Sequence, residues 1–452
     1  MRRYLASAVL GGVAAAALQA ATLEVRPTGP GYTTIQAAID AAVPGQDDVL
    51  VHCGRYFEHV TLRDGVPVRG YAASCAMIDG SDSGVAVTIP HAGSSTVLSG
   101  LTITRGHGTR GGGILVAGGA PVITRNVIAG NGSAANAPNG AGIYAWNDGD
   151  ASAAPTISFN VIRDNVGNAG GGLCLVLLDG AVVTSNVIAG NTAPFGGGAY
   201  AWSSTVQFTN NTVVFNTADY AGGLWGADVD AVLQGNLLAF NTSPATAGDV
   251  FFVGTSTLSF QSNDTWGNDP FDAYPGGMPG PGNFSADPRL RDTNGGGFHG
   301  YEPRSDSPLI DAAAAGAPAA DLRGLAAPVD GDASGIARRD VGARENEGLT
   351  GLRAPERSRF IWDPGRQLPP DYRGYRGDLQ VLRQTGVYTQ NPAIVPGARH
   401  FCDIGPELID VDTPAPGQGY FYLAVAWGTV EGTLGFDAQG LERPRTLPCQ
   451  GP

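Results

Sequence analysis

Four groups of residues in this 452-residue chain carry side chains able to do chemistry. Arg105, Arg110 and Arg125, with His107 among them, form the one basic cluster of the region between residues 91 and 275. Such a cluster can abstract a proton or hold an anion, and otherwise it is a solvated face. Asp148, Asp150, Asp228 and Asp230, with Asn147, stand next to aromatic residues, and Asp249 interrupts a glycine turn. Carboxylates so placed bond hydroxyl groups or serve as acid and base. Tyr144, Trp146, Tyr200, Trp202 and Trp225 recur at matching places after glycine turns, and the phrase Tyr-Ala-Trp occurs twice. Sugar rings stack on exposed rings of this kind, unless another part of the chain covers them. Finally, Asp330-Gly-Asp332-Ala-Ser334-Gly335 reads as the start of a Ca²⁺ loop. Its closing carboxylate, Asp340, comes one position early, beside Arg338 and Arg339, so the other reading is a plain acidic turn.

The elements that must position these residues repeat. Asn126-Val-Ile-Ala-Gly-Asn131 returns as Asn160–Asn165, Asn186–Asn191, Asn211–Asn216, Asn236–Asn241 and Asn263–Asn268, at intervals of 34, 26, 25, 25 and 27 residues. A diverged copy starts at Gly100. A period near 25 residues without helix signals predicts a solenoid of short strands. The apolar centre of each unit belongs inside, and the flanking asparagines should stack into amide ladders from turn to turn. Each turn also carries a glycine corner, as in Gly111–Gly113, Gly140–Gly142, Gly170–Gly172 and Gly196–Gly198. Period-two alternation after these corners turns Ile143, Leu173 and Leu224 inward and the aromatic residues outward. The 34-residue interval holds an insertion at 131–140 or 146–154.

Around this core the chain divides. Residues 1–21 read as a secretory signal, with Arg2 and Arg3 before an apolar run, and no later run could span a membrane. Residues 22–90 form an N-terminal cap and first coils, with a short amphipathic helix at 33–42. Residues 91–275 are the repeats, 276–346 a tail, 347–357 a linker and 358–452 a small β-sandwich. The fold class is therefore all-β. Five cysteines suit export: Cys53 with Cys75 and Cys402 with Cys449 are the preferred pairs, leaving Cys174 as a core residue. The net charge is −14 and all 27 basic residues are arginine, which excludes nucleic acid as a partner.

The run Tyr32–Gly45 followed by Asp48-Val-Leu-Val51 resembles the opening of right-handed parallel β-helix proteins of the pectate-lyase-like superfamily. The succession Asp287-Pro-Arg-Leu290, Ser305–Asp311 and Asp340–Glu345 resembles the choice-of-anchor Q tail of bacterial secreted β-helices. Trp362 early and Tyr420 and Tyr422 late resemble a fibronectin III-like domain. The superfamily resemblance implies a capped solenoid outside the cell or on a bacterial surface, acting on or binding an extracellular polysaccharide or surface glycan. Its lysine-based lyases are excluded here, which leaves an arginine base such as Arg105 or Arg110. Gly106-His107-Gly108 resembles the Gly-His-Gly signature of its galacturonan hydrolases, but no paired-aspartate motif precedes it: Asp79 and Asp82 lie in a cap turn. The resemblance thus gives a non-catalytic carbohydrate-binding or adhesion module as the leading expectation. A polysaccharide lyase or glycoside hydrolase stands second, with Ca²⁺ as its only candidate cofactor.

Overall fold

The computed structural model describes residues 20–147, 149, 154–270 and 280–291, short stretches between 301 and 344, and the strands and one helix of a C-terminal unit between 353 and 427. The leader, Asp148, Asp150, Asp330, Asp332, Ser334, Trp362 and the side chains of Cys402 and Cys449 lie outside the described residues.

Each coil is three short strands joined by tight corners, and like strands of successive coils pair in parallel. This gives a ten-strand sheet from Thr22–Val25 to Thr257–Gln261, a nine-strand sheet from Gly54–Phe57 to Asp264–Trp266 and an eight-strand sheet from Val60–Thr61 to Val250–Val253. Three short strands, most of them three to six residues and alternating in side-chain direction, leave room for one apolar column per sheet inside. Ile103, Ile128, Ile162, Ile188, Val213 and Leu238 form that column in the nine-strand sheet and are fully buried. The solenoid is the expected right-handed parallel β-helix. Ile35–Ala41 is the expected cap helix, its Ile35, Ala38 and Ile39 turned into the first coils. Its first backbone N–H groups donate to the Glu58 carboxylate at 2.9 and 3.1 Å, which satisfies donors a helix start otherwise leaves open.

The asparagines stack as predicted. Asn126, Asn160, Asn186, Asn211, Asn236 and Asn263 form one buried ladder; Asn131, Asn165, Asn191, Asn216, Asn241 and Asn268 form the other. In each rung Nδ2 donates to the next Oδ1 and to a strand carbonyl, and Oδ1 also accepts the preceding asparagine's backbone N–H. A buried amide so saturated carries no desolvation deficit. The residue before many of these asparagines has positive φ and is not glycine: Phe159 (56°), Phe215 (57°) and Phe240 (56°) are the bulkiest. Left-handed backbone at such side chains costs about 1–2 kcal/mol each, so the amide bonds that follow must offset it. The first ladder has one rung more than the repeat shows, because Asn263 Nδ2 donates to Asn283 Oδ1 at 3.2 Å, beyond the cluster Pro279–Pro281.

The extra residues of the 34-residue interval are split between both candidate places. Asn131 bonds to Asn165, Ile143 pairs with Leu173 and Thr156 pairs with Val182, so the slack lies on either side of Ile143–Trp146. The tail does more than close the last coil. It runs back along the outside of the nine-strand sheet, where Tyr301, Leu309, Leu322, Val341 and Ala343 pack on Val161, Val187, Val214 and Leu237 in a second buried cluster. The amide of Asn210 donates to the Asp340 carbonyl at 3.3 Å, and the Ala343 N–H to the Thr212 hydroxyl at 3.0 Å. Between 353 and 427 the strands form two antiparallel three-strand sheets, with an unanticipated helix at Leu379–Thr385. Cys53 and Cys75 form a disulfide, as expected.

Candidate functional site

The outer face of the eight-strand sheet carries the predicted aromatic column, and register places its members. Leu115, Tyr144, Cys174, Tyr200, Trp225 and Phe251 face one another in successive coils; two positions on come Ala117, Trp146, Val176, Trp202, Ala227 and Val253. The glycine corner makes this possible. Gly170 has φ +67°, and a Cβ there would stand 1.9 Å from the Leu173 carbonyl oxygen.

The first column is not the open platform the sequence suggests. Tyr200 and Trp225 stack on each other, centroids 4.7 Å apart and planes 11° from parallel. That distance is the coil repeat of about 4.8 Å, so the ring faces look along the rod and cover one another. Tyr144 has the outward register yet is only 5% exposed. Cys174 lies between Tyr144 and Tyr200 in the same column and is buried, which pushes its thiol pKa up. It is buried as expected, but on the outer side of the sheet rather than in the solenoid's interior. Cys174 is therefore expected to resist iodoacetamide in the native protein and to react once unfolded; rapid labelling of the native chain, read by mass, would contradict that.

The second column differs because aliphatic residues alternate with its indoles. Trp202 is 42% exposed, and its register neighbours are Val176 and Ala227, so no ring stacks on it among the described residues. Trp146 lies two coils away with Val176 between, a separation of about 9.6 Å from twice the coil repeat. Arg110 places its guanidinium 5.4 Å from the Trp146 centroid and 6.0 Å from that of Tyr144. Arg110 belongs to the preceding coil, so it covers the Trp146 face turned away from Trp202. On one edge of the sheet Phe195 and Tyr220, 37% and 41% exposed, stack at 5.1 Å. On the other edge the exposed Asp228 accepts hydrogen bonds from the Thr255 N–H and hydroxyl, and Asp230 accepts one from Thr257.

The basic cluster of the sequence separates in space. Arg110 goes to the aromatic face, and Arg125 lies over Phe159 at 5.2 Å. Arg105 and His107 stay together and gain partners that sequence spacing did not suggest. Arg105 donates to Asp82 at 3.0 Å and to the buried Asp79 at 3.3 Å. Arg55 also pairs with Asp79, and His107 Nε2 lies 3.8 Å from Asp82. Asp82 reaches them because Ser81 and Asp82 take φ of 54° and 55° in a register shift between Asp79 and Ser83. The cap turn therefore carries Asp82 to His107, a proximity that an expected motif spacing could not reveal. The cluster neutralises itself. The bond to Asp82, with both carboxylates close, raises the Arg105 pKa, so its guanidinium gives up a proton less readily than a free arginine and is less available as a base.

Asp82 is held below the usual carboxylate range chiefly by Arg105, and Asp228 by the Thr255 N–H. A carboxyl whose folded pKa lies below its unfolded value of about 3.9 stabilises the fold once ionised and gives this up as pH falls through the lower value. Unfolding stability should thus be insensitive to these groups from neutrality to about pH 5 and fall below about pH 4. Asp82→Asn should make that fall shallower in an acid titration; an unchanged curve would remove Asp82 from the explanation.

Two predicted site residues are withdrawn from solvent. Asp249 takes the third glycine position of its corner and is 1% exposed, with one oxygen accepting the Val250 N–H at 2.7 Å. In equivalent corners a Cβ points at the second ladder, 3.1 Å from Asn191 Nδ2 at Gly172, so this side chain enters the wall and cannot meet a polymer. Asp340, within the tail, is buried and accepts the Asp311 N–H at 2.8 Å; the other members of the expected Ca²⁺ loop lie outside the described residues. Among the described residues no cluster of three metal-ligating side chains occurs.

The fold defined here, a right-handed parallel β-helix, agrees with comparison to known proteins. The family described as right handed beta helix region matches residues 59–220. Solved structures similar to the chain include pectate lyase Pel9A, at 12% identity and TM-score 0.42, covering 73% of this chain and 97% of that one. A pectin methylesterase from carrot follows at 12% identity and TM-score 0.31, covering 62% and 90%, and pectin methylesterase PemA from Erwinia chrysanthemi at 14% and 0.28, covering 61% and 83%. No curated protein matches the chain. No helix among the described residues is long and apolar enough to cross a membrane.

Proposed function

We propose that the chain is an extracellular glycan-binding protein whose contact surface is the outer face of the eight-strand sheet. The observation that carries this reading is Trp202, an exposed indole with no ring partner among the described residues, two coils from a second indole. Trp146, Val176 and Trp202 stand at one register position in three successive coils, so two indoles about 9.6 Å apart by twice the coil repeat have only an aliphatic residue between them. Tyr220 and Phe195 extend the apolar surface along one edge, and Asp228 and Asp230 offer hydroxyl acceptors on the other. The surface binds sugar without cutting it, since the remaining titratable cluster, at Arg105, Asp79, Asp82 and His107, is engaged with itself. Secretion, the choice-of-anchor resemblance of the tail and the fibronectin III resemblance of the C-terminal unit belong to this same reading.

The test is a panel of extracellular polysaccharides in affinity gels, run with the native chain and Trp202→Ala. Retardation by at least one glycan, lost in the variant, is expected. Retardation unchanged by the substitution overturns the site, and depolymerisation of a retarding glycan overturns the non-catalytic part.

A further inference from the structure

We infer that the glycan is uncharged, neither a polyuronate nor a cationic amino-sugar polymer; this rests on the reading above and narrows it. A polyanion on a protein surface needs cations to replace its counterions and water. No arginine occurs between Arg163 and Arg289, so the coils that carry Trp202, Tyr220 and Phe251 bring none to the surface. Among the described residues Arg110 is the one guanidinium against the aromatic face, and Trp146 stands between it and Trp202 in the order of coils. The edges instead carry exposed carboxylates, Asp219 beside Tyr220 and Asp228 and Asp230 beyond Ala227. Asp228 is held ionised by its Thr255 bonds, which keeps this rim negative at any neutral or mildly acid pH. A uronate laid along the rod would meet these charges with no compensating partner.

A fixed cationic ligand is disfavoured for a different reason. Trp146, Val176 and Trp202 themselves carry no charge, while Asp228 and Asp230 lie at the edge and accept hydrogen bonds from Thr255 and Thr257. The carboxylates that repel an anion attract a cation, so a cationic polymer is expected to gather on the rim in a salt-sensitive way that does not need Trp202. An uncharged pyranose satisfies the surface: its apolar face meets an indole and its hydroxyls donate outward to the rim.

The experiment is calorimetric titration of the full chain at low and high salt with four hexasaccharides: a neutral β-glucan, a neutral xylan, a polygalacturonate and a fully deacetylated chitosan. Each is repeated with Trp202→Ala. The expected result is that a neutral oligomer binds at least tenfold tighter than either charged one, with little salt dependence, and that Trp202→Ala removes the binding. An Asp219→Asn, Asp228→Asn double variant should gain affinity for the galacturonate without losing the neutral ligand. Tighter galacturonate or chitosan binding that needs Trp202 and weakens in salt overturns this inference and leaves the glycan-binding reading standing. Failure of all four to bind in a way that needs Trp202 overturns both.

Discussion

Asn186→Asp is expected to destabilise the solenoid by about 3–5 kcal/mol at neutral pH, more than any surface substitution in the repeats. Asn186 Nδ2 donates to the Ile157 carbonyl at 2.8 Å, the Thr184 carbonyl at 3.0 Å and Asn211 Oδ1 at 3.1 Å, while its Oδ1 accepts the Asn160 backbone N–H at 2.9 Å and its Nδ2 at 3.0 Å. A carboxylate has the same shape and no donor. Its second oxygen would face three acceptor oxygens, each left unsatisfied at about 1–3 kcal/mol, in a site with no solvent exposure. The damage should stay local, because coils couple mainly to their neighbours, so a broadened or two-step urea transition is expected rather than a uniform shift. Asn186→Ala should cost somewhat less, since it removes the donor without adding a charge. An exposed asparagine such as Asn168 serves as control and should change stability by about 0.5 kcal/mol at most. A loss below about 1 kcal/mol for Asn186→Asp would mean that the ladders are not a main support of the coils.

The ladders were legible because they repeat. Asparagine at both ends of an apolar centre, returning every coil, fixes both strand direction and burial, and the register is that of the sequence spacing. What stayed hidden depended on distance along the chain or on ring orientation. Asn283 continues a ladder outside the repeat, behind a proline and glycine cluster that breaks the period. Asp82 meets His107 only because two successive left-handed residues lift Asp82 out of the strand. The outward alternation of the aromatic residues could be read from period two, yet alternation cannot say whether a ring turns its face to water or to the next coil. At Tyr200 and Trp225 the coil repeat matches the stacking distance of aromatic rings, so the faces close on each other. At Trp202 the aliphatic residues in the neighbouring coils prevent this. The tail's docking along the nine-strand sheet was equally silent, since the outward valines of that sheet, Val161 and Val187, read simply as more core.

Trp202→Ala is expected to weaken glycan binding tenfold or more, about 1.4 kcal/mol, with little change in unfolding stability. The exposed side chain contributes little to packing, so the loss should fall on the ligand. Trp202→Phe keeps a ring and should retain most of the affinity. Trp225→Ala should behave the opposite way. Its ring is stacked on Tyr200 and meets Phe195 edge-on at 5.8 Å, so its removal should destabilise the fold by about 2–4 kcal/mol and alter binding less than Trp202→Ala does. Equal effects of the two substitutions on binding and stability would make the aromatic face one structural unit, without a distinct contact residue.

Hydroxyl-radical footprinting of the full chain, with and without the glycan that retards it, tests the central claim most directly, because it reports where the sugar sits without any substitution. The prediction is protection of Trp202, Trp146 and Tyr220, while exposed aromatic residues away from that face, such as Phe57 and Tyr71, keep their reactivity. Protection at Arg105 and His107 with Trp202 unchanged would contradict the account and move the site to the self-paired cluster of the first coils.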